Sequence, residues 1–197
     1  MPVLRTARIQ RKTSETDIDL TLNLDGSGDC RLETGIGFFD HMLNAFARHG
    51  AFDLDVTCRG DLDVDAHHTV EDVGICLGRA FSDALGDKAG ITRFGHSFVP
   101  MDEALARAAV DLSGRPFLVY NADLPDEMVG AYPTAMSPEF FRSLADHGRL
   151  NAHIDLIRGT NAHHATEAIF KAAGRALRQA CGQDPGVVGI PSTKGVL

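Results

Sequence analysis

Ile18, Leu20, Leu22 and Leu24 alternate with polar neighbours, the two-residue period of a strand with one buried face. Asp25-Gly26-Ser27-Gly28 has turn composition, and Cys30, Leu32 and Thr34 resume the alternation as a partner strand. The period then changes. Phe39, Met42, Leu43 and Phe46 recur at helical spacing, and His49-Gly50 predicts the end of that helix. Phe52, Leu54, Val56 and Cys58 return to alternation. Val70, Val73, Leu77, Phe81 and Leu85 then form the apolar stripe of a second helix.

The same order recurs. Ala104 to Leu112 and Pro116 to Tyr120 read as strands, and Ser137-Pro138 as a cap followed by a first-turn proline. Leu150, Ala152, Ile154 and Leu156 alternate ahead of another helical stretch. Each half therefore predicts a mostly antiparallel sheet, apolar on one side and covered by two helices. Together they make an α+β layered sandwich built twice. The halves divide as 1–90 and 91–182, with 183–197 a tail that joins the site of one compact unit. A loop from Ala122 to Ser137, carrying Pro125, Gly130 and Pro133, and the tail are the irregular stretches.

The repeat also carries the chemistry. His67-His68-Thr69-Val70-Glu71 returns as His163-His164-Ala165-Thr166-Glu167. The copies stay in register from Ala66 to Gly86 and from Ala162 to Gly182, matching at Ala66, His67, His68, Glu71, Gly78, Arg79, Ala80, Ala84 and Gly86. A histidine and a glutamate four positions on lie one helical turn apart, near enough to hold one ion. The second histidine of each pair points about 100° away and can serve another. Imidazole and carboxylate without thiolate suit Mn, Fe or Zn, and added carboxylates favour the harder Mn.

His41, at a helix start after Phe38-Phe39-Asp40, is a further candidate ligand, and Glu139 stands at its repeat position. Glu15 and Gly26 keep the spacing of Glu103 and Gly114. His49 and His147 precede glycines at helix C-termini, where histidine complements the dipole, and are read as structural. His153 is ambiguous and His96 unassigned. Arg93, Arg115 and Lys194 read singly as solvated charges. As a set, with Ser192 beside Lys194 on the tail, they could hold a phosphate.

Composition narrows the classes. A chain of 197 residues, 44% hydrophobic and 23% charged, is long enough for a sizeable core. A net charge of −8 argues against a nucleic-acid surface, though a local cationic cluster can still take an anionic small molecule. No long apolar run predicts a membrane span, and Met1-Pro2-Val3-Leu4-Arg5 lacks a signal-type apolar core, so a cytoplasmic setting is expected. Cys30, Cys58, Cys76 and Cys181 are scattered and read as free thiols.

Five segments resemble the imidazoleglycerol-phosphate dehydratase family: Gly35-Ile36-Gly37-Phe38-Phe39-Asp40-His41-Met42-Leu43, Asp65-Ala66-His67-His68-Thr69-Val70-Glu71-Asp72, Pro100-Met101-Asp102-Glu103-Ala104-Leu105-Ala106, Asn161-Ala162-His163-His164-Ala165-Thr166-Glu167 and Pro191-Ser192-Thr193-Lys194-Gly195. The resemblance spans nearly the whole chain. It implies a manganese-dependent removal of water from imidazole glycerol phosphate, giving imidazole acetol phosphate in histidine biosynthesis, with two Mn ions per active site. It implies His41, His67, His68, Glu71, His163, His164 and Glu167 as metal ligands, and Glu139 where some members carry histidine. Glu15, Arg93, Arg115, Ser192 and Lys194 are implied as substrate contacts. Of these Glu15 is the expected proton-transfer residue, with His41, Glu71 and Glu167 at the reacting centre. A homo-oligomer of 24 subunits, with metals at subunit contacts, is also implied. From the residues themselves, a dimetal hydrolase and a metal-scaffolded shell stay open. An RNA-binding module is disfavoured by the acidic balance.

Overall fold

The computed structural model describes residues 5–124 and 127–197. Met1 to Leu4, on which the expectation about a signal-type core falls, and Pro125 of the long loop lie outside the described residues. The first half runs β1 (Thr6–Lys12), β2 (Thr16–Asn23), β3 (Cys30–Glu33), α1 (Gly37–Gly50), β4 (Asp53–Gly60) and α2 (His67–Leu85). The second runs β5 (Phe94–Met101), β6 (Ala104–Asp111), β7 (Phe117–Asn121), a short ribbon of β8 (Met128–Val129) and β9 (Tyr132–Pro133), α3 (Met136–Gly148), β10 (Asn151–Arg158) and α4 (Ala162–Cys181). The sheet orders are β1-β2-β4-β3 and β5-β6-β10-β7, the same arrangement twice. The α+β fold of duplicated halves is the one predicted. Among the described residues no helix is long and apolar enough to cross a membrane.

The first turn behaves differently from expectation. Cys30 to Glu33 do not fold back on β2; β3 pairs in parallel with β4, with Cys30 opposite Leu54. Asp53, the first residue of β4, is the cause. Its Oδ1 accepts the amides of Ser27, Gly28 and Asp29 at 2.8, 3.2 and 3.1 Å, and Gly28 adopts φ +92° within that loop. Those bonds, that to Ser27 first, keep the Asp53 carboxyl below its usual range. The loop is thereby tied to β4, and the strand leaving it follows β4.

α1 and α3 end at Gly50 and Gly148, where the His-Gly pairs stand, but the capping differs. The left-handed residues are Ala51 after α1 and Arg149 after α3, at φ 50° each, so Gly50 and Gly148 are not the caps. They are small because helices meet there. A Cβ on Gly78 of α2 would lie 2.7 Å from the Gly148 nitrogen, and the Cβ of Gly50 would press on the Gly174 carbonyl of α4 at 3.1 Å. Ser137 is likewise no cap. It is buried inside α3, its hydroxyl 3.0 Å from that of Tyr132.

α1 and α2 lie on the first sheet and α3 and α4 on the second, but the helices pair across halves, α2 with α3 and α1 with α4. The four helices thus form the inner layer. Phe39, Phe46, Phe81, Phe140 and Phe170 are fully buried there. Each contributes about 1.5–3 kcal/mol of hydrophobic stabilisation. Outward, the sheets diverge. The first carries the ion pairs Arg8–Asp19 and Arg31–Asp55, whereas the second exposes Phe94, Phe98 and Phe117 at 56, 56 and 58%.

Candidate metal centre

The pairing of α1 with α4 places a residue from each half in one cluster. His41, in the first turns of α1, brings Nε2 to 3.1 Å from Glu167 Oε2, and His163 Nε2 lies 3.2 Å from the same oxygen. The three ligand atoms fall within 4.8 Å of one another, the one such group of three among the described residues. The Phe38 ring meets His163 edge-on at 5.0 Å between centroids, limiting how that imidazole can turn. Lys171, one turn beyond Glu167, holds the other carboxylate oxygen at 2.5 Å. Burial pushes the Glu167 carboxyl upward, but Lys171 and His41 outweigh it and the group lies below its usual range. Two imidazoles and an ionised carboxylate with one oxygen turned toward them suit a divalent ion.

The counterpart on α2 is looser. His67 Nε2 and Glu71 Oε2 are 3.8 Å apart. Glu139, the candidate ligand at the repeat position of His41, lies with Oε2 3.4 Å from Arg142 Nε on its own helix, and the structure does not gather it with His67 and Glu71 within one ligand shell.

The second histidines point elsewhere, the rings within each doublet meeting at 77° and 79°. His68 turns Nδ1 toward Asp61, 3.2 and 3.0 Å from its two oxygens, and Nε2 toward Glu15 at 3.7 Å. His164 turns Nδ1 toward Glu103 at 2.8 Å and Nε2 toward Asp102 at 3.6 Å. The bond to Asp61 raises the His68 pKa, and that to Glu103 raises the His164 pKa. Glu103 itself is pulled down to about 2, by His164 first and then by backbone amides. Glu15, remote in sequence from the doublets, is therefore beside one of them in space. Asp61, Asp102, Glu103 and Lys171 were not singled out as site residues by the motifs. Asp102 and Glu103 had a signal, both within a segment that resembles the family and Glu103 also as the repeat counterpart of Glu15.

Arg93 is not the solvated charge it looked from sequence. Its guanidinium grips Asp111 at 2.7 and 3.1 Å and donates to the Pro191 carbonyl at 2.8 Å, so it ties down the tail ahead of Ser192. Arg115 and Lys194 are exposed, and Ser192 Oγ accepts the Lys194 amide at 3.2 Å. A cavity of about 560 Å³, lined by Leu118, Tyr120, Leu124 and Pro138 among others, includes none of these groups.

Duplicated halves joined by their helices, with an imidazole–carboxylate cluster at the join, are matched by proteins of known kind. The family model for imidazoleglycerol-phosphate dehydratase matches residues 34–177. An imidazoleglycerol-phosphate dehydratase of Lacticaseibacillus casei is 57% identical over 98% of this chain and 100% of the relative. One of Methylobacillus flagellatus is 54% identical over 100% of both. Among solved structures, the Staphylococcus aureus enzyme superposes with TM-score 0.83 at 41% identity, covering 91% of this chain and 99% of that one. The Pyrococcus furiosus enzyme, in complex with (S)-C348, gives 0.83 at 38% identity over 96% and 100%. These likenesses make the chain an enzyme of the hydro-lyase class. It belongs to the imidazoleglycerol-phosphate dehydratase family.

Proposed function

We propose that the chain dehydrates imidazole glycerol phosphate to imidazole acetol phosphate, a step of histidine biosynthesis, with Mn²⁺ as the metal and two ions per site. The observation that carries the metal assignment is the convergence of His41, His163 and the locked Glu167. His67 with Glu71, and the outward His68 and His164, complete the ligand set, with Glu139 a further candidate. The hydroxyl leaves the carbon attached to the ring, the proton leaves the next carbon, and the enol so formed becomes the ketone. No carbonyl accepts the electrons, so the ring must. A bound divalent ion supplies positive charge that favours the anionic ring.

Glu15 handles the proton: it lies beside His68 and makes no side-chain hydrogen bond among the described residues. Arg115, Lys194 and Ser192 hold the phosphate, with Arg93 fixing the tail that carries two of them. The doublets lie at separate places on one chain, and the second sheet turns three phenylalanines outward. Both features support assembly of copies, 24 in our reading, with sites where copies meet. Four free thiols support a cytoplasmic setting.

The test is turnover of imidazole glycerol phosphate by metal-stripped protein with and without added Mn²⁺. We expect the ketone to form with the metal and none without it. No ketone in either case overturns the reading.

A further inference from the structure

Glu15 and Glu103 occupy the same place in the repeat, each just before the second strand of its sheet. Their duties differ. Glu103 is fully engaged: Oε2 lies 2.8 Å from His164 Nδ1, and Oε1 accepts the amides of Thr160 and Asn161 at 3.2 and 2.9 Å. A carboxylate on Nδ1–H fixes the imidazole in the tautomer that presents its Nε2 lone pair outward, as a metal ligand requires.

On His68 that position is taken from another part of the chain. Asp61, in the turn after β4, lies 3.0 and 3.2 Å from Nδ1. Its backbone is held by the segment it relieves, since the Asp61 amide donates to the Glu15 carbonyl at 3.1 Å and the Val64 amide donates to the Asp61 carbonyl at 2.8 Å. The matching segment of the second half, Gly159-Thr160-Asn161, has no carboxylate, so there Glu103 must serve. Glu15 is left on the Nε2 side, 3.7 Å away. Asp102, from the position before Glu103, occupies that side of His164 at 3.6 Å. Both imidazoles thus have an acid at each ring nitrogen: His164 takes both from the turn before β6, whereas His68 takes its Nε2-side acid from the turn before β2 and its Nδ1-side acid from the turn after β4.

We propose that Asp61 is the positioning residue of His68, and that by orienting this ligand through Nδ1 it leaves Glu15 free for proton transfer. The proposal rests on the reading of His68 as a metal ligand and of Glu15 as the proton-transfer group.

The experiment uses metal-stripped protein labelled with ¹⁵N at histidine, followed by solid-state NMR and by calorimetric titration with Mn²⁺. His68 is identified by the signal lost in His68→Asn. Wild type shows His68 protonated at Nδ1. In Asp61→Ala the proton moves to Nε2, and Mn²⁺ affinity falls roughly 10–100-fold. Asp61→Asn, which keeps an acceptor, retains the tautomer and recovers part of the affinity. In turnover, Asp61→Ala costs less in a Glu15→Gln background than in wild type, because part of its effect runs through Glu15. An unchanged tautomer and affinity in Asp61→Ala, while His68→Asn loses metal, overturns the Asp61 assignment alone. Full Mn²⁺ affinity in His68→Asn overturns the metal reading beneath it.

Discussion

Glu71 and Glu167 stand one turn after the two histidine doublets, at equivalent places, yet their side chains are 41 and 9% exposed. The difference comes from what the opposite half lays against each. Over Glu167, α1 delivers His41, and Lys171 on its own helix fixes the second oxygen. Over Glu71 the matching positions hold Glu139, turned toward Arg142, and Ile75 in place of Lys171. Backbone and helix contacts repeat closely, but single positions have diverged enough to give one cluster assembled within the chain and one left open. Duplication here preserves the frame and releases the side chains.

The largest effect should come from the glutamates that precede the second strands. Glu15→Gln should lower kcat by roughly 10²-fold or more with Mn²⁺ content unchanged, whereas Glu103→Gln should lower Mn²⁺ affinity. Steady-state rates beside metal analysis check this, and equal metal loss in both would abolish the distinction. Next are the glycines where helices cross. Gly78→Ala and Gly174→Ala should each cost about 1–3 kcal/mol in denaturant unfolding, because the packing they serve is the same in both halves. A large cost at one and none at the other would break the symmetry of the frame.

Third, Glu167→Gln in metal-free protein should lose about 1.5–3 kcal/mol by removing a charged hydrogen bond to Lys171. Glu71→Gln should stay within about 0.5 kcal/mol, as expected of an exposed side chain. The smallest effect is in acid. Glu103 has a folded pKa of about 2 against an ordinary value of 4.5. Its stabilisation is therefore present above the ordinary value and disappears as pH falls through the folded one. The Tm difference between wild type and Glu103→Gln should shrink over that interval. A constant difference would show that the Glu103 bonds act independently of its charge.

The helices and the doublets were legible because their periodicity is strong and occurs twice. β5 was not, because its pattern is inverted: Phe94 and Phe98 point outward while Gly95 and Ser97 face inward. The reason is α4, since a Cβ on Gly95 would lie 2.8 Å from the Ala180 nitrogen. β1 was missed because Arg11 lies on its inner side, paired there with buried Asp72, so no clean alternation survives. The hairpin expected at β3 failed for a long-range reason, the Asp53 carboxylate reaching back to three amides. In the site, spacing along one helix revealed His163 with Glu167, but nothing local could reveal Lys171 as a lock or Asp61 as a partner of His68. Those roles depend on which oxygen faces which nitrogen.

The pairing of helices across the halves has an evolutionary consequence. Half of this polypeptide on its own would leave the inner face of each helix bare. Two such fragments related by a dyad would cover one another just as the fused copies do here. An ancestral gene half this size could therefore have worked as a homodimer already possessing the histidine cluster twice, and fusion would then have allowed each copy to drift separately.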